Sequence, residues 1–401
     1  MPPHFPISTV KRSGLRAVIV TPDYPPDHGG VAVSVQRIAG SLARQGVQVL
    51  VIVPRFTGYQ GSKPMIEDDP TGHFKIANVS VNDPNVEASK SCAFAGFSGL
   101  PQAYFLIKAL VQDWQPDVIH SFTLYPFSLH CAIIARELRL PFVVGVRGND
   151  ITANIFAPAA ISYIKVALDN ADVVAPVATQ LGDFCKVLRP AIEKKILLVA
   201  NGAEKAVAQP KRVRDLGAKT VQFGTVCIQR PKKNLDVLVN AFIRLREKHK
   251  QAQLVIVGPI LAKEKRSINR LGLGRAITFT GKLSRKDALA AMAAFDAFVI
   301  PSAFDGCANA MLEAMSFGLP IIASKTGGAL DFIEHNKNGL LFEPLDEDAL
   351  LEHLETLLSA KERQRLSAYA KRPLRSPKDE ARDWLKAYQW AIQQAKRSGR
   401  K

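Results

Sequence analysis

The hydrophobic pattern of the chain alternates short, continuous apolar runs with longer amphipathic segments. Arg16–Val20 is an apolar run typical of a buried strand, and Val31–Gln45 follows it with apolar side chains at helical spacing. The same alternation continues as far as residue 199. The further predicted elements are the strands Val47–Val53, Asp117–His120, Pro141–Val146, Ala171–Ala175 and Ile196–Val199 and the helix Phe127–Leu138. This order of elements predicts an α/β domain with a mostly parallel, doubly wound sheet.

A polar and basic segment, Ala203–Lys219, interrupts the pattern and contains Pro210 and Gly217. These features predict a linker. The alternation of strands and helices then restarts at Val221, which predicts a second α/β domain. Its predicted elements are the strands Val221–Cys227, Ala252–Gly258, Ile277–Thr280, Ala297–Ile300, Pro320–Ala323 and Gly339–Phe342 and the helices Leu235–His249, Lys286–Ala294 and Asp346–Leu358.

Two segments depart from this alternation. Gly58–Pro101 is rich in Gly, Ser, Asn, Asp and Pro, which predicts a long loop that either recognises a ligand or is merely mobile. Lys378–Lys396 carries apolar residues at helical spacing, which is typical of a packing surface. We therefore divide the chain into residues 1–205, residues 206–375, and a basic C-terminal helix and tail at 376–401.

Composition excludes several classes of protein. The 401 residues are 47% hydrophobic and 22% charged, which excludes disorder along the whole length. The five cysteines include no C-x-x-C pair, so a disulfide framework and a zinc site are not expected. We expect a cytoplasmic location, because no apolar run is long enough to span a membrane and the first residues do not resemble a secretory signal.

The chain is basic, with a formal net charge of +17. More than half of this charge lies in Lys361–Lys401, which holds 13 lysines and arginines against 4 acidic residues. Such a tail predicts peripheral docking on an anionic membrane surface, here the inner face of the plasma membrane. Charge alone does not make nucleic acid a partner, because no binding motif is present and aromatic residues are not interleaved with the basic runs.

Two candidate sites lie in the first half, each at the end of a predicted strand. Gly29 and Gly30 precede the first helix, where they allow either close approach of a ligand to the backbone or simply a tight connection. Arg147–Asp150 follows another strand. Its side chains are suited to hydroxyls or phosphate, and the alternative is a solvated turn in which Asp150 caps a helix.

The second half has three candidate sites. Arg230–Asn234 places three cations before a helix, which suits a diphosphate but also fits an ordinary basic loop. Asp305 follows a strand, and Glu313 lies in an otherwise apolar helix, where its carboxylate needs either a ligand hydroxyl or a structural salt bridge. Gly327 and Gly328 repeat the glycine pair of the first half.

These residues resemble the retaining glycosyltransferases of the GT-B fold, specifically the GT4-like group. Phe304–Pro320 is similar to that group's acid-Gly-x-x-Asn-x-x-x-Glu-Ala-Met box, and Asn201–Glu204 to its Asn-Gly-Val-Asp. Lesser similarities are at Gly29–Gly30, Ala171–Val174 and Phe279–Gly281. The resemblance implies two Rossmann-like doubly wound domains facing a cleft, with a C-terminal helix that crosses back to the N-terminal domain.

The resemblance also implies roles for individual residues. The donor would be a nucleotide diphosphate sugar whose ribose, sugar and diphosphate meet Glu313, Asp305 and Lys233 respectively. Arg230 and Arg147 would assist catalysis. The remaining implied residues are the backbone cradle Gly29, Gly30, Asn309, Ala310, Gly327 and Gly328 and, more weakly, Asn149 and Asp150 at the acceptor.

Three departures from the family's pattern bear on these roles. Asp305 stands where the family has Glu, so its reach to the sugar is one methylene shorter. Cys227 and Ile228 replace the family's Gly-Arg, and Arg230 is displaced from that Arg by two positions. Arg147 stands where the family often has His, and arginine does not shuttle protons near pH 7.

The reaction implied by the resemblance is sugar transfer with retention at the anomeric carbon. The acceptor would be a carbohydrate, a lipid-linked glycan or another hydroxyl, in bacterial polysaccharide or lipopolysaccharide assembly. No cofactor and no metal are expected, since no Asp-x-Asp motif lies in a suitable loop. Two alternatives stay open, namely a nucleotide-sugar epimerase of the same fold and a non-catalytic binding protein with a degenerate donor site.

Overall fold

The computed structural model divides the chain into two compact units. The first unit comprises the chain up to Asn201 together with the C-terminal segment from Pro377 onward. The second unit is Gly202–Ser376. The predicted linker lies mostly outside the described residues. The structure describes residues 14–27, 29–57, 64–82, 100–204, 210, 220–260, 262, 265–266, 273–274, 276–370 and 374–400.

The first unit contains a seven-stranded sheet. Its strands are β1 (Arg16–Val20), β2 (Gln48–Thr57), β3 (Met65–Asp68), β4 (Lys75–Asn82), β5 (Val118–Ser121), β6 (Phe142–Val146) and β7 (Val173–Pro176). Their order across the sheet is β3-β4-β2-β1-β5-β6-β7, and every pair is parallel except β3 with β4. The predicted parallel sheet is therefore confirmed.

Helices connect these strands. They are α1 (Gly30–Ala43), α2 (Leu100–Trp114), α3 (Ser128–Glu137), α4 (Asn149–Thr152), α5 (Pro158–Asn170) and α6 (Thr179–Leu188), with 3-10 turns at Asn154–Phe156 and Pro190–Lys195. β1 lies at the centre of the sheet, and all five of its residues are buried. Burial on both faces explains why this strand is a continuous apolar run and not an alternating pattern.

Two sequence predictions for this unit are wrong. The region read as one irregular loop, Gly58–Pro101, contains β3 and β4, and β4 extends the sheet beside β2. Ile196–Val199 is not a regular strand: it lies beside β7 with an isolated bridge between Ile196 and Val174 and amide bonds from Leu197 and Val199 to carbonyls of β7. The polar residues of β3 and β4 hid these strands, since strands toward an edge of a sheet need fewer apolar side chains.

The C-terminal helix, α13 (Pro377–Arg397), belongs to the first unit. The helices α7 to α12 belong to the second unit and are described below. Trp384 and Tyr388 on this helix are fully buried in the core of that unit. Glu380, also buried, accepts a hydrogen bond from Nε of Arg37 on α1 at 3.0 Å. The predicted packing surface and the predicted return of the helix to the N-terminal domain are therefore both confirmed.

The second unit contains a six-stranded, fully parallel sheet. Its strands are β8 (Val221–Val226), β9 (Ala252–Val257), β10 (Ile277–Gly281), β11 (Ala297–Ile300), β12 (Ile321–Ser324) and β13 (Gly339–Phe342), in the order β10-β9-β8-β11-β12-β13. Its helices are α7 (Leu235–Lys248), α8 (Arg285–Met292), α9 (Asn309–Ser316), α10 (Gly328–Phe332), α11 (Glu347–Thr356) and α12 (Ala360–Ala370).

Two hydrophobic cores cover the two faces of this second sheet. Phe223 and Val299 lie in one core, and their chain neighbours of opposite orientation, such as Phe298 and Ile300, lie in the other. This division follows from the alternation of side chains along a strand. The arrangement leaves the carboxyl ends of β8, β11 and β12 side by side, which is where ligands bind in open α/β sheets.

His120 on β5 is a buried titratable residue in the core of the first unit. Its Nδ1 lies 2.9 Å from the hydroxyl oxygen of Tyr388, and its ring centroid lies 4.2 Å from that of Trp384. Burial, with a smaller contribution from the positive charge of Arg147, holds the pKa of His120 well below its usual value. The folded protein therefore keeps this imidazole neutral when the unfolded chain takes up a proton.

This difference predicts a pH-dependent stability of the first unit. The unfolded histidine binds a proton near pH 6.5. The contribution of His120 to the free energy of unfolding is therefore fully present above that pH, and it falls as the solution is acidified, by at most about 1.4 kcal/mol per pH unit. We expect His120→Gln to reduce this slope between pH 7.5 and 5.5. Urea unfolding followed by tryptophan fluorescence measures it, because Trp114, Trp384 and Trp390 are the three tryptophans and all lie in the first unit.

His73→Gln is the matched control, because His73 is an exposed histidine of the same unit. The control should keep the slope of the unsubstituted protein. An unchanged slope in His120→Gln would show that the titration of His120 does not contribute to acid sensitivity.

Candidate functional site

Three loops of the second unit meet at the carboxyl ends of β8, β11 and β12. The amide of Ala303 donates to the carbonyl of Lys232 at 2.8 Å, which joins the loops after β11 and β8. The amide of Gly328 donates to the carbonyl of Gly306 at 2.5 Å, which joins the loops after β12 and β11. Backbone hydrogen bonds therefore fix the three loops to one another.

An ion pair lies between two of these loops. Nζ of Lys233 is 2.5 Å from Oδ2 of Asp305, and the two side chains are only 20% and 18% exposed. Lys233 ends a 3-10 turn, and Asn234 follows in a left-handed conformation before α7 starts. The backbone thus turns sharply here, and it holds the ammonium group against the carboxylate of the neighbouring loop.

Asp305 is held ionised in this position. Burial is the largest influence on its pKa and raises it, but the charges of Lys233 and Lys232 and two hydrogen bonds together bring the pKa below its ordinary value. One of those bonds comes from the amide of Gly306 to Oδ1 at 3.1 Å. The carboxylate is therefore oriented by the backbone and charged at neutral pH.

Cys227 lies close to the ion pair, at the position where the GT4-like pattern has Gly. Burial raises the pKa of its thiol to about 11, with smaller opposing contributions from Lys233, which lowers it, and Asp305, which raises it. The thiol is therefore protonated near neutral pH and is not an activated nucleophile. The next residue, Ile228, is exposed.

Arg230 is exposed and supplies a backbone contact to the 3-10 turn. Its carbonyl accepts a hydrogen bond from the amide of Lys233 at 2.9 Å. The part of the chain that the structure describes contains no salt bridge to its guanidinium. Whether this side chain reaches a phosphate stays a prediction.

Glu313 lies on α9 and makes the salt bridge that was one of the two alternatives for it. Its Oε1 is 2.8 Å from Nη2 of Arg285, the first residue of α8. The carboxylate is 15% exposed and the guanidinium 56%. The contact with Arg285 does not exclude a ligand, because two carboxylate oxygens together accept about four hydrogen bonds.

The start of α9 provides donors near Asp305. The helix begins at Asn309, so Asn309 and Ala310 lie in its first turn. Amides in the first turn have no acceptor within the helix, and the helix dipole makes this end favourable for anions. This geometry is compatible with the predicted cradle for a diphosphate.

The glycine pair after β12 has two different roles. Gly327 has φ 45°, and a Cβ atom there would lie 1.9 Å from the carbonyl oxygen of Asp305. A Cβ on Gly328 would lie 2.9 Å from Sγ of Cys307. Only glycines allow this close approach. The amide of Gly328 is already used by Gly306, so it does not add to the predicted anion cradle.

The predicted residues of the first unit lie on the carboxyl ends of its own strands. The guanidinium carbon of Arg147 lies 4.0 Å from the ring centroid of Phe122 and 5.8 Å from the ring of Trp384. Its Nη1 donates to Oδ1 of Asn201 at 3.2 Å. The aromatic faces and the amide therefore hold the cation in one place.

Asp150 organises the loop that carries Arg147. Its buried carboxylate accepts hydrogen bonds from the amides of Leu124 at 3.0 Å, Arg147 at 3.1 Å and Gly148 at 2.7 Å. This supports a structural role for Asp150, in contrast to the predicted weak contact with an acceptor. Asn149 starts α4 and is exposed.

Gly29 and Gly30 lie at the start of α1, as the sequence predicted. Gly29 has φ 140°, and a Cβ atom there would meet no atom of the described residues within 4 Å. A salt bridge of 2.7 Å between Asp27 and Arg55 stabilises the connection before them. The described residues therefore leave room for a ligand next to this backbone.

Sequence reasoning missed one residue of the site. Arg285 was not singled out, although Ser284 and Asp287 around it form a helix start, with Ser284 accepting a hydrogen bond from the amide of Asp287 at 3.1 Å. This start could have been recognised from the sequence. The contact of Arg285 with Glu313 could not have been recognised from the sequence, because the two residues follow different strands.

The described residues include no group of three or more His, Cys, Asp and Glu side chains placed to hold a metal ion. None of the helices described is both long enough and apolar enough to cross a membrane.

Comparison with known families decides what kind of site this is. Residues 28–206 match the model of Glycosyltransferase Family 4, and residues 215–372 match the model of Glycosyl transferases group 1. The chain belongs to the GT4-like glycosyltransferases. It is thus a nucleotide-sugar glycosyltransferase by family, and the two Rossmann-like units are those of the GT-B fold.

Two relatives align in sequence with most of this glycosyltransferase. A GDP-mannose-dependent alpha-(1-6)-phosphatidylinositol monomannoside mannosyltransferase of Mycobacterium tuberculosis is 24% identical, with 87% of this chain and 90% of the relative covered. A GDP-mannose-dependent alpha-mannosyltransferase of Corynebacterium glutamicum is 26% identical, with 83% and 78% covered.

Solved structures share the fold of this glycosyltransferase. Anabaena HepE in complex with UDP and glucose has a TM-score of 0.71 at 19% identity, with 93% of this chain and 99% of that chain covered. The catalytic domain of starch synthase IV from Arabidopsis thaliana bound to ADP and acarbose has a TM-score of 0.73 at 17% identity, with 95% and 100% covered.

The close approach at Gly327 generates a prediction. An alanine at φ 45° and ψ −125°, which only glycine adopts readily, costs about 1–3 kcal/mol, and overpacking against the Asp305 carbonyl adds typically 1–3 kcal/mol. We expect Gly327→Ala to lower the melting temperature of the second unit in scanning calorimetry. Gly281→Ala is the matched control, because Gly281 has φ 68° but a Cβ atom there would meet nothing within 4 Å.

Equal melting temperatures for the two variants would show that the contact with Asp305 relaxes at no cost. A larger loss for Gly327→Ala would show that the close approach is a real constraint on the two loops.

Proposed function

We propose that this glycosyltransferase transfers a sugar from a nucleotide diphosphate sugar to a hydroxyl acceptor with retention at the anomeric carbon. The observation that carries the proposal is the ion pair of Lys233 and Asp305 on loops that backbone hydrogen bonds join, with Glu313 on α9, the helix that follows the Asp305 loop. A cation for the diphosphate and two carboxylates for hydroxyls are the groups that such a donor requires.

Lys233 acts on the leaving group in this proposal. Its ammonium group is 20% exposed and already positioned by Asp305. In a partly buried site its charge stabilises the developing diphosphate anion more strongly than it would in water. The first-turn amides at Asn309 and Ala310 add donors, and Arg230 is a further candidate.

The two carboxylates bind the donor at different places. Asp305 accepts hydrogen bonds from hydroxyls of the transferred sugar, and its short side chain holds that sugar close to the loop after β11. Glu313 accepts hydrogen bonds from the ribose hydroxyls. Both carboxylates are mostly buried and have lost hydration. Hydroxyl groups of the ligand would replace the lost hydrogen bonds and so reduce the free-energy cost of burial.

The chemical step needs no protein nucleophile. The acceptor oxygen forms a bond with the anomeric carbon on the face from which the diphosphate departs, and the acceptor proton passes to the departing diphosphate oxygen. The bond between the anomeric carbon and that oxygen breaks. Lys233 supplies positive charge in this scheme, so we propose that the transfer is independent of a divalent metal.

A lipid-linked or glycan acceptor at an anionic membrane fits the basic C-terminal segment. The names of two relatives refer to glycolipids, a phosphatidylinositol monomannoside and a monoglucosyldiacylglycerol. The apolar stripe of α13 is buried against the first unit, so this helix does not offer it to a membrane. We therefore propose a purely electrostatic attachment to the inner face of the plasma membrane, in bacterial polysaccharide or lipopolysaccharide assembly.

This attachment predicts strong dependence on lipid charge and on salt. We expect co-sedimentation with vesicles of phosphatidylcholine and phosphatidylglycerol at low salt, little with phosphatidylcholine alone, and release near 1 M salt, where the Debye length is about 3 Å. The double change Lys396→Gln and Arg397→Gln, at two exposed residues of α13, should weaken binding at least about tenfold.

Lys337→Gln is the control for this experiment, because Lys337 is an exposed lysine of the second unit. Equal recovery with neutral and anionic vesicles at low salt would exclude the electrostatic attachment.

The donor site predicts nucleotide-dependent stabilisation. We expect one of GDP, UDP and ADP to raise the melting temperature, because a ligand at 100 times its dissociation constant stabilises the fold by about 2.7 kcal/mol. Lys233→Ala and Glu313→Ala should each lose most of this ligand-induced shift. The shift is the quantity to compare, because Lys233→Ala also leaves Asp305 without its cation.

Lys337→Ala serves as the control and should keep the full shift, because it pairs with Glu334 at the exposed surface. With the corresponding sugar nucleotide, NMR of the product should show the anomeric configuration of the donor, and EDTA should leave the rate unchanged. No shift with any nucleotide would favour a degenerate, non-catalytic site. An inverted product or a loss of activity in EDTA would overturn the proposed mechanism.

A further inference from the structure

The salt bridge between Arg285 and Glu313 brings a residue without an assigned role into contact with the proposed ribose ligand. Nη2 of Arg285 is 2.8 Å from Oε1 of Glu313. The residues that flank Glu313 on α9, Leu312 and Ala314, are buried. An ionised carboxylate among such neighbours is costly to bury unless a cation or a donor faces it.

Local structure fixes the position of Arg285. β10 ends at Gly281, and α8 begins at Arg285 after a cap in which Ser284 accepts a hydrogen bond from the amide of Asp287. The hydroxyl of Ser284 also donates to the carboxylate of Asp287 at 2.6 Å. Arg285 therefore projects from a defined first turn and not from an unstructured loop.

The two partners differ in exposure, which indicates the role of each. The Glu313 side chain is 15% exposed, so its charge gains from a nearby cation, whereas the Arg285 side chain is 56% exposed and does not need to be paired. A solvated arginine gains little from an ion pair. The pair therefore benefits the carboxylate more than it benefits the guanidinium.

We propose that Arg285 is a positioning residue for nucleotide binding, which fixes the carboxylate of Glu313 so that it selects ribose hydroxyls. Contact through Oε1 restricts rotation of the carboxylate. Bond directions toward the 2′- and 3′-hydroxyls are then set before the nucleotide arrives, which lowers the cost of ordering the site. This inference rests on the proposed function of Glu313 as the ribose ligand.

Binding of ribonucleotides and deoxyribonucleotides tests the inference. The probes are GDP, UDP and ADP, and the nucleotide that binds the unsubstituted protein most tightly is compared with its 2′-deoxy counterpart by titration calorimetry. We expect Arg285→Ala to weaken binding of the ribonucleotide by about tenfold, since hydrogen bonds to a charged group are affected, and to weaken binding of the deoxyribonucleotide less, because only its 3′-hydroxyl faces Glu313. The preference for ribose should therefore shrink.

Two further variants make the result specific. Arg285→Lys should restore part of the ribose preference, because it keeps a cation near Glu313. Arg244→Ala is the matched control, because Arg244 is an exposed arginine on α7 whose Nη1 lies 2.7 Å from Asp348. This control should bind both nucleotides as the unsubstituted protein does. Equal melting temperatures of the unliganded variants would show that the fold is intact.

Three outcomes would overturn the inference. An unchanged ratio of ribose to deoxyribose affinity in Arg285→Ala would show that Arg285 does not orient Glu313. Tighter ribonucleotide binding in that variant would show that Arg285 competes with the ribose. If the unsubstituted protein bound nucleotide without a preference for ribose, the premise that Glu313 selects ribose hydroxyls would be wrong. Absence of binding by all three nucleotides would instead overturn the proposed donor site itself.

Discussion

The contact between Lys233 and Asp305 is the interaction around which the site of the second unit is built. A carboxylate as little exposed as that of Asp305 is stable in its charged form only beside a cation. The contact requires the loops after β8 and β11 to approach closely, and the backbone bond from Ala303 to Lys232 holds them there, while the bond from Gly328 to Gly306 fixes the loop after β11 to the loop after β12. The charges are therefore arranged before any ligand binds, which is the condition for effective electrostatic stabilisation.

A second constraint comes from the C-terminal helix. Trp384 packs in the core of the first unit and also faces Arg147, and Tyr388 contacts His120 beneath the same loop. Removing this helix would therefore expose a core and release Arg147 from one of its aromatic neighbours. For this reason the segment that follows the second unit in sequence is part of the structure of the first.

The fold was largely predictable, and the failures have a physical explanation. Central strands such as β1 and β11 are buried on both faces, so they are continuous apolar runs that sequence reasoning recognises. β3 is the edge strand of the first sheet and is mostly exposed, and its neighbour β4 carries polar residues among its apolar ones, so both resembled a loop. Ile196–Val199 has the composition of a strand and lies beside β7, but it forms one isolated bridge and not a regular ladder.

The sequence by itself determined which chemical groups this protein can use. The order of strands and helices, the family and the candidates Lys233, Asp305, Glu313 and Gly327 all follow from residue types and their spacing. The tertiary structure decided which of them meet: Lys233 with Asp305, Glu313 with Arg285, and Gly328 with Gly306. Spacing along one strand or helix is periodic and can be read locally, whereas a contact between loops that follow different strands depends on strand order and on the path of each loop.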